Sequence, residues 1–474
     1  MFKKLFILSS SILLSFIFVV KTFGNSKEQN ETLVNKERVI KNCSFYKWFD
    51  PNTNEKEGKE LLKNCSSCHA AYYNEWTNDK HSMSQNNPFF LSMYKDFRKD
   101  HPDKNGNCSL CHNPEAAIDN GFDVDLRKQR ATKTNGISCD FCHKIEDVDQ
   151  NDFKKGVTGL SILKICKGMK DIRIGSIKDP IQISNKEELR YNSLYKTSLY
   201  CAKCHEGSNG NIKIYSTFSE WLNSPAAKKG VQCQTCHMPV RESEDRDQKL
   251  EIVDNPNINH KQRPYYEIHS HGFLTKEPHE FRKKYVDLNL AVALRNNVIS
   301  NGYKIITVTC TVENNNFGHS FPTGSPMRNA ILVLEAKDKN GNDLKLIKGS
   351  LLPNYAENLK GKPGKLFAKI LSETSSEYAA THGNSGIRFR KIANKLGIPA
   401  QDWWNVFIAN DTRIKANEKD ISVYEFTVGA SRDLLLQPVT ITAKLVWRNT
   451  WAGLAKLKDI DLKEDLLIKK ELSL

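Results

Sequence analysis

The stretch NCSSCHAAYYNEWTNDKH, residues 64–81, packs Cys65, Cys68 and His69 into five positions and then offers a second histidine, His81, twelve residues on. The cluster recurs as Cys108-Cys111-His112, Cys139-Cys142-His143, Cys201-Cys204-His205 and Cys233-Cys236-His237, so ten of the 13 cysteines fall into five copies of Cys-x-x-Cys-His. Two thiols at this spacing can each form a thioether with one vinyl group on a single porphyrin edge. The adjacent histidine then reaches the iron as an axial ligand. Zinc sites and disulfides also use paired cysteines, but neither requires a histidine directly after the second cysteine in every copy. The repeat therefore predicts five covalently bound haem c groups, tethered by the ten cysteines and gripped at iron by His69, His112, His143, His205 and His237.

Working outward, hydrophobic residues make up 39% of the 474, below the roughly 45–50% of an ordinary globular chain, as expected if porphyrin supplies part of the interior. A basic head at Lys3-Lys4, an apolar run from Leu5 to Val20 and small residues near Gly24 read as an export signal cleaved there. The alternative is an uncleaved membrane anchor, for which the run is a little short. Export places the chain in a periplasmic or equivalent extracytoplasmic compartment, where haem attachment takes place in bacteria. The formal charge of +15 would ordinarily raise nucleic acid as a partner. Haem propionates offset part of it, which leaves the haem-loaded protein less basic than the bare chain, and nucleic acid is set aside. Cys310, in the alternating run YKIITVTCTVENN, reads as a buried strand position. Cys43 and Cys166 could pair after export, which the sequence does not establish.

The organisation follows from where the motifs stop. Residues 1–24 are the signal and 25–60 a polar arm or linker. Residues 61–285 form a pentahaem domain, mainly helical or irregular with little regular secondary structure, with short helices expected after each motif. From 286 to 474, valine-, isoleucine- and threonine-rich runs such as NLAVAL, RNAILVLEAKD, ISVYEFTV and VTITAKLVW predict a mostly antiparallel β-sandwich domain, with a hairpin turn at KDKNGND. Helical or irregular segments are expected near 365–405, and DLKEDLLIKKEL reads as a short amphipathic tail. Within the haem region YYNEWTNDKH and TFSEWLNSPA echo one another at Glu75-Trp76 and Glu220-Trp221; where the first copy has His81, the second has Ala226.

CSSCHAAYYNEWTNDKH, GISCDFCHKI and TFSEWLNSPAAKKGVQCQTCHMP resemble the cytochrome c-554-like multihaem family over roughly residues 60–280. NNNFGHSFPTG with NDTRIKANE is similar to the β-domain appended to its larger members. The resemblance implies stacked haems that conduct electrons, two histidines on most irons, and in some members one iron open to a small nitrogen compound.

Electron transfer favours irons with a fixed second ligand, whereas catalysis needs an open position. His81 is the best distal candidate. It is expected on the helix after the first motif, at a position where the resemblance places a ligand, and should serve a different haem. His269 and His271, in EIHSHGF, would share one face of an extended strand, with His271 preferred for ligation. His101 and His319 are further candidates, His319 reaching down from the β-domain. His260 and His279 are weaker, and His382 reads as solvent-exposed. Residues 145–200 contain no histidine; Met169 could substitute there.

Two functions follow. The first is an exported electron carrier of a respiratory chain, with protein donor and acceptor, one of them a membrane quinol-linked complex, and with homo-oligomerisation left open. The second is an oxidoreductase acting on a small nitrogen or oxygen compound at an open iron, where Arg328, a lysine or a tyrosine could assist.

Overall fold

The structure is a computed structural model that describes residues 65–474 except 67, 121–123, 129–135, 151–162, 166–170, 182–186, 210–211, 242–248, 251–262, 274–277, 296–303, 316, 374–405 and 429–437. The expected signal and arm, together with Cys43, Cys166, Met169, His260 and His382, lie outside the described residues.

Residues at i, i+3 and i+4 share one face of a helix, so Cys-x-x-Cys-His needs only one helical turn to aim both sulfurs and the imidazole the same way. The motifs take that form. Cys65 O accepts from His69 N at 2.7 Å, Cys108 O from His112 N at 3.0 Å and Cys139 O from His143 N at 2.9 Å. The first motif runs into α1 (Ala70–Thr77), in which only Trp76 is buried. Next comes α2 (Pro88–Asp100), started by Asn87, whose side chain accepts from Phe90 N, and by Pro88 in the first turn. The fourth motif closes α3 (Leu199–His205), α4 spans Thr217–Leu222, the fifth motif is α5 (Cys233–His237), and α6 (Pro278–Tyr285) ends the region.

The expectation of a helix after every motif is corrected: strands Ile145–Val148 and Gly207–Asn209 follow the third and fourth. Apolar side chains here form only small separate clusters, such as Leu110, Ala117, Ile137, Phe141, Ile145 and Val148, or Tyr94, Ala116, Val124 and Leu126.

Past Tyr285 the chain changes to strands: β1 (Val286–Arg295), β2 (Lys304–Asn314), β3 (Asn329–Lys337), β4 (Lys345–Lys348), β5 (Gly364–Glu373), β6 (Val406–Asp411), β7 (Lys419–Val428), β8 (Thr440–Arg448) and β9 (Glu464–Ser473), with α7 (Ala452–Lys458) between the last two. They make two antiparallel sheets, ordered β4-β7-β2-β1 and β6-β5-β3-β8-β9. Alternate residues of β2, among them Ile306, Val308, Cys310 and Val312, join Leu332, Leu334, Ile441, Ala443 and Leu445 of the other sheet in one large apolar cluster.

The other face of β3 is buried too. Ile331 and Val333 pack with Trp451 and Leu454, and Phe89 of α2 leans on that cluster, tying the haem region to the sheets.

One expectation fails here for a physical reason. Residues Gly364–Glu373 form a strand rather than a helix, because Phe367 and Leu366 are buried on opposite faces and the run never alternates. The amphipathic tail is β9, an edge strand whose Lys469, Lys470 and Glu471 charge the free edge. At KDKNGND the turn forms, with Asp338 Oδ1 accepting from the N–H groups of Asn340 and Asn342 and Gly341 at φ +81°. The chain then crosses to the other sheet, since β4 pairs with β7. Among the described residues no helix is long and apolar enough to cross a membrane.

Candidate functional site

All ten motif cysteines and all five motif histidines line one connected cavity of about 2490 Å³. None of these cysteines is in a disulfide. Their order in space differs from their order in sequence. Cys139 lies in hydrogen-bond reach of Cys65, Cys111 of Cys204, and Cys201 of Cys233. Those contacts and burial push the Cys139, Cys111 and Cys201 thiols up. The third motif meets the fourth around Lys203, a lysine only 5% exposed whose Nζ has no hydrogen-bond partner and lies 4.7 Å from the Tyr200 ring and 4.9 Å from that of Phe141. The fourth motif is thus the hub to which the second, third and fifth connect.

The histidines are prepared as ligands. An imidazole whose Nδ1 is engaged by an acceptor keeps Nε2 free for a metal. Nδ1 meets the Ser84 carbonyl in His112 (2.9 Å), that of Ile174 in His143 (2.8 Å), Met238 in His269 (2.7 Å), His269 in His271 (3.1 Å) and Ser320 in His319 (3.0 Å). In His81 it meets the buried Asp79 carboxylate at 2.6 Å. Burial holds His205 and His271 down at about 3 and His237 at about 4, so these rings are neutral at physiological pH.

Three motif histidines face a second imidazole. Ring centroids are 6.1 Å apart for His205 and His81, 6.3 Å for His143 and His271, and 6.3 Å for His237 and His319. Two metal–nitrogen bonds of about 2.0 Å, plus roughly 1.1 Å from each nitrogen to its ring centre, put the centroids of two imidazoles on one iron about 6.2 Å apart. The donor set therefore fits an iron porphyrin between each pair.

The charges lining the cavity fit as well. Lys80, Arg282 and Arg328 line it and act on one another. Burial and mutual repulsion lower Lys80 to about 8, and burial lowers Arg282 to about 10 despite Asp465 at 2.6 Å. Cations gathered beside His81 and His205 suit the carboxylates that haem carries.

The sequence-predicted residues divide accordingly. His81, His269, His271 and His319 line the cavity; His101, which caps α2, and His279 do not. His81 is not on the helix, which ends at Thr77; it sits in the following turn, where Asp79 N returns to Trp76 O and Asp79 fixes the ring. His269 and His271 line the same cavity, and of the two it is His271, the preferred candidate, that meets His143.

His319 arrives on a loop before β3. There a Cβ on Gly318 would lie 3.2 Å from Trp221 and 3.5 Å from Ala226, so small residues at 226 and 318 permit the approach. The loop is pinned by Glu220, which accepts from Arg413 Nη1 at 2.6 Å, Thr323 Oγ1 at 2.6 Å and Ser320 N at 3.2 Å. Burial alone would raise the Glu220 carboxyl, but Arg413 and these donors hold it down at about 2. Asp79 and Glu220 escaped the sequence reading; the only available signals were an acid two residues before His81 and the repeated Glu-Trp.

The His81 turn leans on the approach to the third motif, where Ile137 N donates to His81 O at 2.8 Å. A Cβ on Gly136 would stand 2.4 Å from that carbonyl oxygen and 2.6 Å from Ser82 O. Gly136→Ala is expected to cost about 1–3 kcal/mol in thermal unfolding, as overpacking does. Gly175→Ala, where a Cβ meets nothing within 4 Å, is the neutral control. Equal effects of the two would contradict this.

Residues 64–144 and 170–238 match the family described as cytochrome c554 and c-prime. Over these residues the chain is a multihaem c-type cytochrome of this family. In structure the cytochrome is similar to a penta-heme cytochrome c552 from Thermochromatium tepidum, with a TM-score of 0.57 and 18% identity over 88% of this chain and 98% of that one. At that identity the likeness speaks to fold, and its extent takes in the β region as well as the motifs. A structural-genomics target matches 40% of this chain and 87% of its own at 7% identity and a TM-score of 0.16. No curated protein matches the cytochrome. Covalently bound c-type haem is its cofactor, and electron transfer is the function of such a chain.

Proposed function

We propose that the protein is an exported pentahaem cytochrome that passes single electrons between protein partners of a respiratory chain. The observation that carries this reading is the meeting of three motif histidines with a second imidazole at 6.1–6.3 Å inside one cavity. Two imidazoles per iron hold both oxidation states in one geometry, which suits transfer rather than chemistry at the metal.

Bound haem supplies one-electron iron chemistry. The chain's residues supply tethers, ligands and countercharge. His69, His112, His143, His205 and His237 would each hold one iron; His81 would share that of His205, His271 that of His143 and His319 that of His237. His269, with Nε2 free in the same cavity, is a further ligand. Lys80, Arg282 and Arg328 neutralise propionates. The two sheets, sharing one apolar cluster, are read as a β-sandwich that delivers His319 to the fifth motif. Neighbouring motif cysteines support an arrangement in which the haem of the first motif would lie beside that of the third, and that of the fourth beside those of the second, third and fifth.

A second reading rests on His112. Among the described residues the ring stacked on it is Phe90, at 3.7 Å and 9°, and no imidazole faces it. That favours an iron open to a small nitrogen or oxygen compound. One series tests both readings. The mature protein should carry five haems by mass, and His81→Ala, His271→Ala and His319→Ala should each turn one low-spin iron high-spin in electron paramagnetic resonance. An oxidised protein that is low-spin throughout and does not bind nitric oxide would remove the second reading. A protein whose three variants leave every iron unchanged would remove the first.

A further inference from the structure

The two Glu-Trp pairs lie on short helices, α1 and α4, in different parts of the haem region. Trp76 Nε1 donates to Ile137 O at 2.8 Å, and Trp221 Nε1 donates to Val231 O at 2.8 Å. In both cases the acceptor stands two residues before the first cysteine of a motif, Cys139 or Cys233. The glutamates reach the opposite side. Glu75 Oε2 accepts from the backbone N–H of His271 at 2.7 Å, and Glu220 Oε2 accepts from that of Ser320, next to His319, at 3.2 Å. Each glutamate is also paired with an arginine, Glu75 with Arg241 at 3.2 Å and Glu220 with Arg413 at 2.6 Å.

The sequence separations differ widely. The tryptophans span 61 and 10 residues, the glutamates 196 and 100. Local chain connectivity therefore does not impose the common pattern. Its recurrence selects one pairing each time: the motif held by Trp76 contains His143, which faces the His271 held by Glu75. The motif held by Trp221 contains His237, which faces the His319 whose loop Glu220 holds.

We propose that each Glu-Trp pair is a positioning clamp that fixes both axial sides of one iron, Glu75-Trp76 for that of His143 and Glu220-Trp221 for that of His237. The inference rests on the ligand assignment proposed above. Consecutive residues on a helix point about 100° apart, so one rigid turn can send tryptophan to the proximal approach and glutamate to the distal loop. A carboxylate acceptor gives the stronger hydrogen bond to a backbone N–H, and the paired arginine keeps the carboxylate aimed. A ligand held this way needs no ordering when it meets the metal, which is the role of a supporting shell.

The test uses the full-length haem-loaded protein. Glu75→Ala should convert one iron, that of His143, from low-spin to high-spin or make it bind carbon monoxide about tenfold faster when reduced. Glu220→Ala should do the same at the iron of His237 and at no other. Trp76→Phe and Trp221→Phe should shift the potential of the same two irons only. A merely structural role would lower thermal stability without selecting an iron.

His271→Ala and His319→Ala are the controls. If they produce no high-spin iron, the ligand assignment has failed; if they do and the glutamate variants leave every iron unchanged, the clamp is overturned. Should an alanine variant not mature, Glu75→Gln and Glu220→Gln keep an acceptor but lose the arginine pairing. A faster carbon monoxide reaction at the named iron supports the clamp, and an unchanged rate overturns it.

Discussion

Synthesised without haem attachment, the chain is expected to leave residues 65–285 unfolded while the strands from Val286 onward retain their sheets. The cavity of about 2490 Å³ has no substitute filling among the side chains. At about 24 cal/mol per Å³ of residual cavity, an empty space of that size extrapolates to roughly 60 kcal/mol, and even a tenth of that rivals the ~5–15 kcal/mol by which domains are stable. The apolar clusters of the haem region are small and disconnected, whereas the sheets share one large cluster of their own.

Limited proteolysis of the unhaemed chain should therefore degrade the N-terminal part and leave a resistant fragment beginning near residue 286. Near-ultraviolet dichroism should retain the Trp451 environment, because that ring is buried against Ile331, Val333 and Leu454 of the β part. Equal protection of both parts, with a single cooperative transition, would show that the haem region owes its stability to something other than the cofactor.

How much of this could be read from the chain depends on the range of each interaction. Cys-x-x-Cys-His is legible because its chemistry lies within five residues and one helical turn. Strand positions such as Cys310 are legible because alternation reports burial on one face. Pairing of the irons' second ligands is long-range. Nothing near His319 says that it will meet His237, and His81 meets His205 across the fold. β5 escaped because it is buried on both faces and so shows no alternation. The Glu-Trp echo was visible as a pattern, yet its meaning lies in partners up to 196 residues away. A sequence that builds its interior from a cofactor leaves little hydrophobic periodicity to read.

Replacing Arg413 by methionine is expected to cost about 3–5 kcal/mol at neutral pH, the penalty for stranding one partner of a buried ion pair. Glu220 and Arg413 have side-chain exposures of 11% and 8%, and the carboxylate also serves Ser216, Thr323 and Ser320. Lys369, held near 8 chiefly by burial, donates to Ser216 Oγ beside it and stays charged in acid.

The same pair makes a pH prediction. Glu220 titrates at about 2 in the folded chain against an ordinary 4.5. Its depressed value means that the unfolded chain binds the proton first as pH falls. Its contribution, on the order of 3 kcal/mol, is complete above about pH 5 and is lost between there and pH 2. Glu220→Gln should flatten stability over that window, as followed by denaturant unfolding, and Arg413→Met should cost less at pH 4 than at pH 7 because the stranded carboxyl is then protonated. If Arg413→Met costs as much at pH 4 as at pH 7, the charge on Glu220 is not what the arginine stabilises. Because Ser320 N is one of the donors, acid should loosen the His319 loop in the same window. A high-spin signal appearing below pH 4 would then belong to the iron of His237, and it should be absent when His319 is already alanine.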